Sequence, residues 1–600
     1  MKLLSITITG IVFAACIVFA ACIVSSHAAE VTLPEIYADH MVIQTDEPII
    51  VSGTVSPTSA ELEIKLAGQT VSVTPRLFGG WTATLDPVSE VGGSHTLTIS
   101  AEGEVAHTIE DITFGDVWLC GGQSNMAWDM TTINDSAAEI ASADFPDIRL
   151  MEVSLRTSSK PLAEVKEIDQ DWTRCSPTAV RRFSAVGYLF GRELYQKTGR
   201  PIGLIQSAWG GSRIETWIPD TALQGSPYTD NIAGRNFGQQ QHKPSICYNA
   251  MIHGLAPLAL KGVIWYQGEN NQTHPEEYRS LMETWIDSWR DLWQAPELPF
   301  YYVQLANYAP GQDWELLREA QTQTLAISNT GMAVTIDIGA SNDIHPRNKQ
   351  GTATRLAAIA LAKTYGQDRV YSGPLLKAAE SDGHNITLRF DHVGSGLASA
   401  EGLAGFQVLT AEGRWSKGNA KIVGDTVEIP GTLFRTNPQG VRYGWDSDPV
   451  ISLSNKEGFP AVPFRFESLD QVYASWRDQL VGAERRPNED ADGDSVSNLM
   501  QYATAHRDPR MVTSSNGRAE LSFHRRANAL DVTIAVEQSG DLETWTEIWS
   551  SGQPDSSGFA WSQERAWGAS MTDRYAITLP TDAKTSMLYR IRYGLSEDDL

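Results

Sequence analysis

The chain has 600 residues, 18 of them tryptophan, and a formal net charge of −26. At roughly 150 residues per domain, that length gives about three or four domains. So acidic a chain is repelled by nucleic acid and by anionic membrane, which argues against both as partners; acidity with many tryptophans suits an exported enzyme acting on neutral or weakly charged polymers.

The chain opens with Lys2, an apolar run from Ile11 to Val24, and small residues around Ser26-His27-Ala28-Ala29. A charged start, an apolar stretch and an Ala-x-Ala-like exit predict a secretory leader over 1–29 and a secreted, extracellular or periplasmic, protein. Lipid attachment at Cys16 or Cys22 ranks second, because each has phenylalanine three places before it. No later segment has enough consecutive apolar residues to span a bilayer. Removing the leader leaves Cys120, Cys175 and Cys247, an odd set that allows one disulfide at most and matches no metal knuckle.

Residues 30–110 alternate apolar and polar positions between turn signals, as in Leu62-Glu63-Ile64-Lys65-Leu66 and Trp81-Thr82-Ala83-Thr84-Leu85. Period-two runs of this length predict a small β-sandwich. From 111 to 372 the pattern changes. Strand-like runs (Ile112 to Leu119, Gly203 to Gln206, Gly262 to Tyr266, Phe300 to Val303, Met332 to Ile336) alternate with helical ones (Val186 to Thr198, Pro275 to Leu292, Leu316 to Ser328). That alternation predicts an α/β domain, a parallel sheet with helices on both faces.

Within it, an apolar strand breaks at Gly121-Gly122 and delivers Gln123-Ser124-Asn125-Met126. Ser124 is therefore expected at a strand end, where open α/β sheets place ligands. A serine hydroxyl needs a base to take its proton. The expected base is His345 in Asn342-Asp343-Ile344-His345-Pro346-Arg347, on a loop leading into a helix. Asp343 is the nearest acid to orient it, with Asp337 and Glu269 as substitutes. Taken alone, the serine turn reads equally well as a polar turn, and His345 as a packing residue.

Four ordered blocks alter that balance: Gly-Gln-Ser-Asn-Met at 122–126, Gly210-Gly211-Ser212-Arg213-Ile214-Glu215-Thr216-Trp217, Trp265-Tyr266-Gln267-Gly268-Glu269-Asn270-Asn271, and Asp343-Ile344-His345-Pro346-Arg347-Asn348-Lys349-Gln350. In that order they resemble the sialate O-acetylesterase family of SGNH (GDSL-like) hydrolases. Similarity continues upstream through His40-Met41-Val42-Ile43-Gln44 and Trp81, and downstream to about residue 470. The resemblance implies a three-layer αβα SGNH-hydrolase domain flanked by β-sandwich accessory domains, acting as a serine carbohydrate O-acetylesterase on acetylated glycans without a catalytic cofactor. It implies an oxyanion hole from the N–H groups of Ser124 and Gly211, or Gly210 in a shifted turn, and the amide of Gln267 or Asn271. Gln123, Trp209, Arg213 and Glu269 are expected to face substrate. One departure matters. Many SGNH enzymes place aspartate three residues before the histidine, where this chain has Asn342. Asp343 can then orient His345, or a carbonyl does so and a dyad remains. The competing reading is a carbohydrate-binding protein on an inactive esterase scaffold.

Strand-like runs return over 373–468, predicting an accessory β-domain. An acidic linker over 469–512 carries Asn488-Glu489-Asp490-Ala491-Asp492-Gly493-Asp494-Ser495-Val496-Ser497-Asn498. Alternate carboxylates around a glycine can converge on calcium, with Asp490, Asp492, Asp494 and Asn498 as ligands and Val496 giving its carbonyl. The twelfth position is Gln501 rather than the bidentate glutamate, so a solvated acidic linker stands beside the calcium reading. Residues 513–600 alternate again and predict a C-terminal β-domain.

Overall fold

The computed structural model describes residues 29–467 apart from 225–227, 382–384, 401, 411–413 and 431–439, together with the backbone of seven strands between 510 and 595. The expected leader and the Asp490, Asp492, Asp494 and Asn498 loop lie outside the described residues.

Among the described residues, eight strands fill positions 29–122: β1 (Glu30–Thr32), β2 (Val42–Gln44), β3 (Ile49–Ser56), β4 (Leu62–Leu66), β5 (Gln69–Val73), β6 (Gly80–Leu85), β7 (Gly92–Ala101) and β8 (Glu104–Gly122). Strands β1, β3 and β6 form a three-stranded antiparallel sheet. The others gather along β8, which ignores the boundary expected at 110. Its first half pairs antiparallel with β7, and its last residues enter a second, parallel ladder. The strand bends at Asp111, whose φ is +56°. Arg149, Arg174 and His40 converge on the Asp111 carboxylate. Burial opposes that charge, but their hydrogen bonds outweigh it and hold the carboxyl well below the usual carboxylate range. The bend is thus pinned where the two halves of the sheet meet.

The central sheet adds β9 (Phe145–Val153), β10 (Ile168–Cys175), β11 (Ile202–Ala208), β12 (Gly262–Tyr266), β13 (Phe300–Gln304) and β14 (Thr330–Val334) in the order β10-β9-β11-β8-β12-β13-β14. Only the edge pair β9–β10 is antiparallel; the other pairs along this path are parallel. Strand order reverses at β8. The crevice at a carboxyl end beside such a reversal is where this architecture binds ligands.

Eight α-helices are described: α1 (Ser124–Ala127), α2 (Ser136–Ala141), α3 (Ala185–Thr198), α4 (Asp220–Leu223), α5 (Thr229–Ala233), α6 (Pro275–Trp293), α7 (Trp314–Gln323) and α8 (Lys349–Lys363). Side-chain alternation along β8 sends Trp118 and Gly121 to opposite faces. Trp118 meets Phe190 of α3, with ring centroids 5.0 Å apart. On the other face Trp265 lies beside Gly121 and stacks on Trp285 of α6 at 4.3 Å. Helices therefore cover both faces, and the sheet between them is buried. Among the described residues no helix is long and apolar enough to cross a membrane, and Cys120, Cys175 and Cys247 are free, buried thiols.

Among the described residues between Leu375 and Glu467, two four-stranded antiparallel sheets and a two-stranded ribbon enclose a separate core that includes Leu388, Val408, Val427 and Tyr443. Arg318 of α7 ties this unit to the central sheet. Its fully buried guanidinium donates to the carbonyls of Leu305 (2.9 Å) and Ala306 (2.9 Å) after β13, and to those of Asp446 (2.7 Å) and Ser447 (2.9 Å) across the boundary. The seven C-terminal strands form one four-stranded and one three-stranded sheet.

Candidate active site

Ser124 opens α1 immediately beyond β8, and Gly122 explains how it gets there. Gly122 has φ +136°, and a Cβ on it would lie 2.2 Å from the Tyr266 carbonyl oxygen at the end of β12. Only glycine fits so close a crossing. The Gln123 N–H then donates to that same carbonyl at 2.9 Å, which fixes the turn.

The opposing histidine comes from the loop between β14 and α8. His345 Nε2 lies 2.8 Å from Ser124 Oγ, a hydrogen bond in which the hydroxyl donates when the imidazole is neutral at Nε2. The imidazole stacks on the Trp128 indole at 4.6 Å and 19°. Asn348 caps α8, its side chain accepting the Gly351 N–H at 2.9 Å, so the helix begins at Lys349. The His345 pKa is lowered by burial and by the Lys349 charge, with Asp343 opposing.

The third member is looser than a tight triad. Asp343 Oδ1 stands 4.0 Å from His345 Nδ1, beyond hydrogen-bond reach, while accepting the backbone N–H of His345 at 2.9 Å. Its carboxylate shapes the loop and supplies charge to the ring without gripping it. The substitutes are occupied elsewhere. Asp337 forms a bidentate pair with Arg355, and Glu269 accepts from Asn125.

On the far side of Ser124 the chain leaves β11 through Trp209 into Gly210-Gly211. A Cβ on Gly210 would stand 3.5 Å from Ser124 Cβ, so this turn borders the serine. Gly211 has φ +73°. Among the described residues neither the Ser124 nor the Gly211 N–H meets an acceptor, and both are free to serve an oxyanion.

The side-chain donors expected there are a correction. Gln267 is fully buried, and its amide nitrogen is engaged with Gln123 Oε1 (3.1 Å), the Ser212 carbonyl (3.2 Å) and Asn271 Oδ1 (2.8 Å). Asn271, also buried, donates to Glu215 Oε2 at 2.8 Å and accepts the Ile214 N–H at 3.0 Å. These amides lash three loops together rather than face a ligand, because in a dry interior each must find an internal partner. At the rim stands the neighbouring Asn270, half-buried, which donates to the Gly211 carbonyl at 2.6 Å and lies 3.4 Å from His242 Nε2.

The substrate-facing assignments divide similarly. Gln123 and Glu269 are each 3% exposed. Gln123 Oε1 accepts from Gln267 and from the backbone N–H groups of Gly268 and Asn270, so both side chains are structural. Trp209 and Arg213 remain half-buried, and the Nε and Nη1 atoms of Arg213 are buried without a hydrogen-bond partner.

Sequence reasoning passed over Asn125, Trp128 as a partner of His345, and Lys349. Lys349 is wholly buried, donates to Asn125 Oδ1, and holds its ammonium 5.5 Å from the Trp128 ring centroid and 5.2 Å from that of Tyr266. A lysine on the first turn of a helix, four residues after the histidine, was the available signal.

A family model described as a carbohydrate esterase, sialic acid-specific acetylesterase, matches residues 114–365. Sialate O-acetylesterase of Mus musculus is 32% identical over 363 residues, 50% of this chain and 66% of the mouse protein. The enzyme of that name from Rattus norvegicus is 32% identical over 379 residues, 52% of this chain and 68% of the rat protein. Among solved structures, a carbohydrate acetylesterase from Xanthomonas citri superposes with a TM-score of 0.68 at 37% identity, covering 73% of this chain and 99% of that one. The matched region contains the serine turn, the glycine turn and the histidine loop that meet in the crevice beside β8, and on these grounds the chain belongs to the sialate O-acetylesterase family of carbohydrate esterases.

Proposed function

We propose that this protein is a carboxylic ester hydrolase that removes O-acetyl groups from sugars or polysaccharides through an acyl-enzyme, on an SGNH-type three-layer domain flanked by β-sandwich units. The observation that carries the reading is the 2.8 Å contact between His345 Nε2 and Ser124 Oγ. Ser124 Oγ attacks the acetyl carbonyl carbon while His345 takes its proton. The tetrahedral oxyanion forms beside the unengaged N–H groups of Ser124 and Gly211; one such donor is worth roughly 2.7–4 kcal/mol in the transition state. His345 then protonates the departing sugar oxygen, the C–O bond breaks, and Ser124 carries the acetyl group. Water, losing its proton to His345, attacks the acyl carbon and releases acetate, restoring the hydroxyl. No step calls for a metal or cofactor.

Relatives named for sialate and for carbohydrate acetyl esters support an acetylated glycan as substrate. The leader over 1–29 supports secretion, and Asp490, Asp492, Asp494 and Asn498 support a structural calcium in the C-terminal region. The test compares wild type with Ser124→Ala on a chromogenic acetate, then measures acetate release from a panel of acetylated glycans. Hydrolysis that vanishes in the variant is expected. Equal rates would replace this reading with that of a carbohydrate-binding protein on an esterase scaffold.

A further inference from the structure

We propose that Lys349 is a positioning residue for the Ser124–His345 pair: its buried ammonium, relayed through Asn125 to Glu269, locks the histidine loop onto the serine turn. The inference rests on the catalytic reading above. Its geometry begins with the Asn125 amide, whose nitrogen faces Glu269 Oε1 and the Ile344 carbonyl. A carbonyl can only accept, so Nδ2 must point that way and Oδ1 must point at Lys349, which donates to it. One side chain next to Ser124 thereby joins an acid from the turn after β12, a base from α8, and the backbone of the residue before His345.

A buried ammonium persists only when compensated. Glu269 is the compensating carboxylate: burial raises its pKa, the Asn125 hydrogen bond and the Lys349 ammonium pull against that, and its Oε2 is buried without a hydrogen-bond partner, leaving it committed to this relay. The Trp128 and Tyr266 rings add cation–π contacts to Lys349. The same Trp128 stacks on the His345 imidazole. Lys349 and a protonated His345 would thus be two cations on one indole, which favours the neutral, proton-accepting ring at rest. The charged and titratable groups around the pair are Glu269 after β12, Tyr266 on β12, and Asp343 on the histidine loop. Asp343 favours the imidazolium, and Lys349 disfavours it. Burial pushes the Lys349 ammonium down to about 7, against the pull of Glu269 and Asp343.

The test uses the full chain and the variants Lys349→Met and Lys349→Met/Glu269→Gln. Lys349→Met alone strands a buried carboxylate and is expected to lower Tm and kcat together. The double variant removes both charges and is expected to recover Tm. It still lacks the Lys349 charge, so two readouts should move to higher pH: the acid limb of kcat/KM, and the His345 titration followed by NMR on isotope-labelled histidine, assigned with His345→Gln. A merely structural lysine would move neither once Tm is restored. A double variant that fails to fold, or that folds with the His345 titration unmoved, overturns the proposal. If the titration moves but wild type shows no Ser124-dependent hydrolysis, the coupling of Lys349 to His345 stands and the catalytic reading fails.

Discussion

Gly122→Ala tests how the serine is delivered. The new Cβ would lie 2.2, 2.8 and 3.0 Å from the carbonyl oxygen, carbonyl carbon and nitrogen of Tyr266, all backbone atoms of β12. The oxygen contact is about 1 Å short of tolerable, and Tyr266 is paired directly with Gly122 in the parallel ladder, so relief means prying β8 from β12. Overpacking of this kind costs about 1–3 kcal/mol. The positive φ adds about 1–3 kcal/mol for a residue with a Cβ. At roughly 2–4 °C per kcal/mol, Tm should fall by upward of about 5 °C. Ser124, two residues on, should shift by a comparable distance, and a misplacement of about 1 Å can cost roughly 10²-fold in rate. Gly199→Ala is the control, because Gly199 also has positive φ (+68°) but nothing stands within 4 Å of its added Cβ; it should cost roughly 1–2 kcal/mol and spare kcat. Thermal unfolding and Ser124-dependent acetate hydrolysis read both. The reasoning fails if Gly122→Ala melts with wild type at full kcat, or if the two variants are equally impaired.

Asp343→Asn keeps an acceptor for the His345 N–H, so kcat should fall by less than about 100-fold, against about 10⁴-fold where the acid grips the imidazole directly; a loss near the larger figure would mean that the loop tightens on substrate. Because burial and Lys349 lower the His345 pKa, and the ring must be neutral to accept a proton, the acid limb of kcat/KM should lie below the ordinary histidine value of 6.5. A limb above that value would contradict the site's electrostatics. Arg318→Met deprives four carbonyls of a donor and should destabilise by at least about 3 kcal/mol, read by denaturant unfolding. If calcium binds the acidic segment, titration calorimetry on the full chain should give heat that Asp490→Ala/Asp492→Ala removes, and no heat at millimolar calcium would dismiss the site.

Much of this protein was legible in the order of its residues. Apolar runs placed β8, β11, β12, β13 and β14, since a strand buried on both faces has little choice of composition, and helical spacing placed α3 and α6 within a residue or two, whereas β9 and β10 were not foreseen. Ser124 and His345 could be named because four ordered motif blocks tipped the balance away from a polar turn and a packing histidine. The sequence alone could not tell that Gln267 and Asn271 turn inward while Asn270 stands at the rim. Neighbouring amides on one turn carry the same chemistry, and only the loops packed around them decide which finds an internal partner. Nor could local pattern pair Asn125 with Lys349, or send β8 through two sheets with a bend at Asp111. Side-chain type is a property of the chain, but burial and charge compensation arise between segments hundreds of residues apart, and they come into being only when the fold closes.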